Sequence, residues 1–174
     1  MKERVLAESH FLRMKERDGW FFVDRPNCNG AVIIVPLTRA GRLVFVVQYR
    51  VPLGRQAVEF PAGLIGDDAG KERESPLAAA RRELQEETGY EAHDLELVAS
   101  SATSPGLADE LTHFVLAANL DRVGPGGGIE GESIVVHEVA MAEVEGWLAA
   151  RAQEGLAIAA NLYAGLYFAR LRWG

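Results

Sequence analysis

Residues 74–90, ESPLAAARRELQEETGY, read as one short helix with three carboxylates crowded near its C-terminal end. Ser75 is placed to cap the helix, and Pro76 suits the first helical position, where no backbone N–H is needed. Gly89 is placed to end it in the left-handed conformation. At about 100° per residue, Leu77, Ala80 and Leu84 share one face, and Glu83, Glu86 and Glu87 share another. The acidic face is badly placed locally. A helix C-terminus carries partial negative charge and disfavours each carboxylate by ~0.3–1 kcal/mol. Glu83 and Glu87 are also an i,i+4 like-charge pair. A divalent cation would reverse the sign of both effects; a solvated face relieved by Arg81 and Arg82 is the bland alternative.

The chain around this helix has 174 residues, 48% apolar and 25% charged, which fits one globular domain over 1–174. Its net charge of −7 argues against a general nucleic-acid or anionic-membrane binder. A phosphate ligand would therefore have to be met by local cations. Cys28 is the only cysteine, so there is neither an intrachain disulfide nor a thiolate metal site. No stretch approaches the ~20 apolar residues of a membrane span, and a signal pattern is absent, so the expected location is the cytoplasm.

Outward from the helix, 4–14 and 19–25 read as two strands of an N-terminal hairpin joined at Glu16–Gly19. Its Trp20, Phe21 and Phe22 suit a core, an interface or a stacking surface for a base. Residues 31–37 and 43–49 are nearly continuously apolar, as central strands covered on both faces would be. The RAGR turn at 39–42 predicts that they form a hairpin. Further strands are expected at 57–60, 95–101, 111–118 and 133–139. Helices are expected at 142–153 and 156–171, the last apolar almost all round and hence well buried. Residues 123–131, VGPGGGIEG, read as a flexible loop. The order gives an α/β (α+β) fold, a mixed sheet sandwiched between helices.

The run Arg82-Glu83-Leu84-Gln85-Glu86-Glu87-Thr88-Gly89-Tyr90, with Glu74 eight residues before Arg82, resembles the Nudix box, G-x5-E-x7-R-E-U-x-E-E-x-G-U, with U apolar. The leading glycine departs: the spacing would put it at Asp68, whereas Gly63 in PAGLI is the better match, with five residues inserted before Glu74. QYRVPLG followed by VEFPAGLI, and Pro105 placed 16 residues after Gly89, resemble the ADP-ribose and nucleoside-diphosphate-sugar diphosphatase branch.

That resemblance implies a Nudix fold and a metal-dependent hydrolase. It would split ADP-ribose or a related nucleotide sugar into a nucleoside monophosphate and a sugar phosphate. Glu83, Glu86, Glu87 and the Ala62 carbonyl would hold Mg²⁺ or Mn²⁺. Arg82 would pair within the box and keep a glutamate in place. Glu130 or Glu132, on a loop free to swing, would activate water. Arg50 would contact the diphosphate, Glu59 would bind substrate or support the metal, and Pro105 and Trp20 would lie on the substrate side. Glu110, beside the SPG turn, is within reach of the site or lies on the surface. The branch also implies a homodimer built through residues 1–25. The rivals are a (d)NTP pyrophosphatase on the same fold and a nucleotide-sugar sensor that does not cleave its ligand. An oxygen-only donor set suits the hard cations Mg²⁺ and Mn²⁺.

Overall fold

The computed structural model describes residues 2–67, 70, 72–129 and 131–174. In chain order the elements are β1 (Glu3–Glu8), β2 (Arg13–Arg17), β3 (Trp20–Asp24), β4 (Ala31–Pro36), β5 (Arg42–Arg50), β6 (Arg55–Glu59) and β7 (Ala62–Leu64). Then come α1 (Pro76–Thr88), β8 (Tyr90–Ala102), β9 (Leu111–Arg122), β10 (Val135–Ala140), α2 (Val144–Gln153), β11 (Ala157–Ile158) and α3 (Ala160–Trp173). They build two four-stranded mixed sheets, β7-β4-β9-β8 and β10-β5-β6-β11, and a three-stranded antiparallel sheet, β1-β2-β3.

β4 and β9, paired in parallel, form the central wall. Their side chains alternate between two cores, as the pleat requires. Val32, Ile34, Val115 and Ala117 face Ala79, Ala80 and Leu84 of α1. Ile33, Val35, Phe114 and Leu116 face the other core, with Phe45, Val58 and Phe60 from the second sheet, Val144 and Leu148 of α2, and Leu162 and Leu166 of α3. The sequence expectation of strands buried on both faces, with helices on either side, is met. On α1 the buried face is turned slightly from the one expected: Ala79, Ala80 and Leu84 are inside, and Leu77 is exposed.

Three expectations need correction. The strands at 31–37 and 43–49 do not make a hairpin. β4 has both edges filled by β7 and β9, so the chain after the Thr38–Arg42 turn crosses to the second sheet, leaving a single bridge between Leu37 and Leu43. Residues 4–14 are two strands, not one. Ser9 accepts from the backbone N–H groups of Phe11 and Leu12 and its own N–H bonds the Leu12 carbonyl, so the chain turns inside that run. The last helix starts at Ala160, because Ala157–Ile158 add a short parallel strand to β6. It is buried along Leu162, Gly165, Leu166 and Ala169 alone, with Tyr163, Tyr167 and Leu171 exposed.

The N-terminal sheet joins the body through a short seam. The Val23 N–H donates to the Leu107 carbonyl at 2.8 Å, and Val23 bridges Ala108. Within the sheet, Asp24 takes Lys15 Nζ at 2.6 Å and the Arg13 guanidinium at 2.6 Å. These cations, Arg13 first, hold its carboxyl below the ordinary value of 3.8. The folded value lies below the unfolded one. The pair's stabilisation is therefore complete above about pH 4 and is lost as the pH falls through the folded value. Acid titration followed by amide exchange should release residues 13–24 before the central wall. Asp24→Asn should show the same weakened protection already at neutral pH.

Candidate active site

The acidic helix forms for the local reasons read from its sequence. Ser75 Oγ accepts from the Ala78 N–H at 3.2 Å, Pro76 is its first residue, and Gly89 closes it at φ 73° with its N–H on the Gln85 carbonyl. Packing against β4, β8 and β7 then aims Glu83, Glu86 and Glu87 into a cavity of about 670 Å³.

Arg82 is the node of the cluster. Its Nε and Nη2 donate to the two Glu74 oxygens at 3.1 and 3.0 Å, and Nη2 also to the Leu64 carbonyl at 3.1 Å. Nη1 donates to Glu83 at 2.7 Å and Glu86 at 3.3 Å. Glu74 also accepts from the Gly66 N–H at 3.2 Å. The five inserted residues therefore leave Glu74 in place as the anchor of Arg82. The structure also speaks to the leading glycine. A Cβ on Gly63 would lie 1.9 Å from the Glu83 carboxyl, so the helix can press this glutamate against β7 only where the side chain is a hydrogen. The competing position, Asp68, lies outside the described residues.

Burial acts strongly on two of the glutamates. Glu87 is 4% exposed, and desolvation pushes its carboxyl up to about 8 despite the Ala62 N–H donating to it at 3.2 Å. Desolvation likewise pushes Glu83 up to about 7, against the pull of Arg82. A buried and a half-buried carboxylate that both resist ionisation form an oxygen donor set that fits a hard divalent cation. Among the described residues no three His, Cys, Asp or Glu side chains already stand in a metal-holding arrangement. Arg82 draws Glu83 and Glu86 onto itself instead.

Arg50 and Glu59 line the same cavity and pair with each other, Arg50 Nε and Nη2 lying 2.8 and 2.7 Å from Glu59. Glu132 lines it as well, with its carboxylate accepting from the Ile129 N–H at 2.9 Å. Glu130 lies outside the described residues. Pro105 and Trp20 are brought together elsewhere: they line a separate cavity of about 450 Å³ between β3 and the SPG loop, and Trp20 is 72% exposed.

The cavity also takes in Arg25, Thr103 and Thr112, which the sequence did not single out, and Glu110, whose place it left open. Arg25 Nε donates to Glu110 at 2.8 Å. Glu110 follows the SPG turn and Thr112 sits opposite Ala31 in the β4–β9 register. The SPG turn is a local signal for Glu110 alone, whereas Arg25 arrives through the seam between β3 and the loop.

A box helix on a mixed sheet, its glutamates facing β7 and its arginine bonded to Glu74, defines the Nudix class of fold and site. Comparison with known proteins agrees: the NUDIX domain model matches residues 29–156, and the chain belongs to this family as a Nudix hydrolase domain. It is 41% identical over 106 residues to a methanol dehydrogenase activator of Bacillus methanolicus, covering 61% of this chain and 55% of that protein. It is 44% identical over 91 residues to an ADP-ribose pyrophosphatase of Bacillus subtilis, covering 52% and 46%. A GDP-mannose pyrophosphatase of Escherichia coli is 34% identical over 157 residues, covering 80% and 79%. The chain thus spans about half the length of the first two relatives. A crystal structure of an ADP compounds hydrolase matches 98% of this chain and 90% of its own, with a TM-score of 0.74 and 25% identity. Among the described residues no helix is long and apolar enough to cross a membrane.

Proposed function

We propose that the chain is a divalent-metal-dependent diphosphatase acting on ADP-ribose or a related nucleoside-diphosphate sugar, with a nucleoside monophosphate and a sugar phosphate as products. The observation that carries this is the pair of the half-buried Glu83 and the buried Glu87, set against Gly63 and Ala62 in a cavity that Arg50 shares. Glu83, Glu86, Glu87 and the Ala62 carbonyl would hold Mg²⁺ or Mn²⁺. A cation so bound would neutralise phosphoryl charge and lower the pKa of a bound water.

The chain's own groups do the rest. Arg50 offers a fork of donors to the diphosphate, and Glu59 keeps that fork extended into the cavity. Arg82 holds Glu83 and Glu86 in their places. Glu132, on the cavity wall, takes the proton of the attacking water, with Glu130 as the other candidate from the same loop. Thr103, Thr112, Arg25 and Glu110 give the cavity a polar end that suits sugar hydroxyls. The names of the B. subtilis and E. coli relatives and of the matching structure favour a nucleotide sugar over a nucleoside triphosphate.

Assembly belongs to the same proposal. The N-terminal sheet and its first turn leave Val5, Phe11, Trp20 and Phe21 exposed, apolar surface that a partner would cover. A second copy covering it would make a homodimer and bring the Trp20–Pro105 cavity under the partner's influence. Solution mass with and without residues 1–25 tests this; a monomer in both rejects it.

The deciding experiment is a substrate panel of ADP-ribose, GDP-mannose and dNTPs with Mg²⁺ or Mn²⁺. The expected result is turnover of a nucleotide sugar at a kcat/KM at least tenfold above any dNTP. Preference for dNTPs would make the chain a triphosphate pyrophosphatase, and binding without product would make it a sensor.

A further inference from the structure

The loop over the acidic helix is bonded to it by backbone. Three successive N–H groups each find a different glutamate. Gly127 donates to the Glu87 carbonyl at 2.8 Å, Gly128 to the Glu86 carbonyl at 3.0 Å, and Ile129 to the Glu132 carboxylate at 2.9 Å. The first two satisfy carbonyls that the end of a helix otherwise leaves without partners. Before them, Val123 and Gly124 both donate to the Gly89 carbonyl, at 2.8 and 3.1 Å.

Glycine is required here for contact as well as for φ. Gly126, Gly127 and Gly128 all have φ between 68° and 104°, where a side chain is strained. A Cβ on Gly126 would lie 2.4 Å from the Thr88 backbone carbon, so the loop could not approach the helix end. A Cβ on Gly128 would lie 2.4 Å from Glu132 Oε2 and 2.8 Å from Glu132 Cβ, so the bare backbone of Gly128 is the slot in which the glutamate sits. Gly127 and Gly131 differ: among the described residues a Cβ on Gly127 meets its nearest neighbour at 3.9 Å, and one on Gly131 meets nothing within 4 Å.

We infer that Gly127 and Gly128 are positioning residues that tie the reach of Glu132 to the helix bearing the metal-binding glutamates. A displacement of that helix end would carry Glu132 with it, so the two halves of the site keep one geometry. This differs from a loop that swings freely as a whole. It rests on the diphosphatase reading above, with Glu132 as the base.

Two measurements test it. The first is steady-state kinetics and thermal midpoints of Gly128→Ala, Gly127→Ala and Gly131→Ala, all of which bear the same kind of backbone strain. Gly128→Ala should lower kcat about 30-fold or more with KM changed by less than about threefold, as misplacing a reacting group by about 1 Å does. Gly131→Ala should stay near wild type, and Gly127→Ala should fall between them. If Gly128→Ala loses no more kcat than Gly131→Ala at equal thermal midpoint, the inference is overturned.

The second is amide exchange by NMR, which needs no turnover. Gly127, Gly128 and Ile129 should all be protected in wild type, and Glu132→Ala should release Ile129 alone. Unprotected amides at 127 and 128 overturn the inference whatever the substrate. If wild-type protein hydrolyses no nucleotide sugar yet the exchange pattern is as expected, the diphosphatase reading falls and the catalytic part of this inference with it. The bonded loop would then stand as geometry alone.

Discussion

Glu87→Gln is expected to lower kcat about 10³-fold while leaving the folded protein intact, since a charged ligand to a catalytic cation contributes several kcal/mol to the transition state. The substitution keeps the shape of the side chain and leaves an oxygen to accept from the Ala62 N–H. What it removes is the charge. Because burial holds this carboxyl near 8, the metal-free protein carries a group that prefers its proton well above the unfolded value of 4.5. The sign follows from linkage. Between about pH 4.5 and 8 the folded state binds more protons than the unfolded one, so metal-free stability falls as pH rises across that window. At pH 8 the metal-free Glu87→Gln protein should therefore melt no lower than wild type, and higher if the burial penalty dominates. Added Mg²⁺ should raise the wild-type midpoint and do much less for the variant. Unchanged turnover, or an equal metal response in both, would remove Glu87 from the metal site.

Arg82→Ala is expected to have the largest effect on stability, a loss of roughly 3–5 kcal/mol in chemical denaturation, because it leaves the largely covered side chains of Glu74 and Glu83 without their counter-charge. One guanidinium serves Glu74, Glu83, Glu86 and the Leu64 carbonyl at once. A lysine cannot reproduce that fork, so Arg82→Lys should recover only part of the loss. Activity should fall too, since Glu83 and Glu86 lose the group that sets their direction. Low pH should reduce the deficit, because protonated glutamates no longer need the cation. A deficit that does not change with pH would mean that Arg82 acts through packing, not charge.

The acidic helix was legible because its signals are local. Ser75, Pro76 and Gly89 act within one turn of where they stand, and each does in the structure what its chemistry suggested. The two-sided burial of β4 and β5 was legible for a similar reason, since an unbroken apolar run has no solvent face to offer. What escaped depends on which segments meet. The turn at 38–42 looks like a hairpin turn and is one locally, yet β4 has no free edge for β5 to use. The last helix reads as apolar on every side, but which residues are covered depends on Phe60 and Val35, against which Gly165 packs. Arg25 carries no motif, and it enters the cavity because β3 is stitched to the SPG loop at Leu107. The box glutamates, grouped on one face by their spacing, line one cavity. Their division of labour with Arg82, and the bonding of the 123–129 loop to their backbone, are facts of register that no local pattern encodes.

The alternation along β4 and β9 has a further consequence. These strands are a partition between two cores. Val32 and Ile34 report to the acidic helix, whereas Ile33 and Val35 report to α3 and the second sheet. The cavity draws on both sides of that wall: Glu83, Glu86 and Glu87 come from the acidic helix, whereas Arg50, Glu59 and Leu162 come from the second sheet and α3. A change of packing on either side of the wall therefore reaches the cavity, through α1 on one side and through Phe60 and Leu162 on the other.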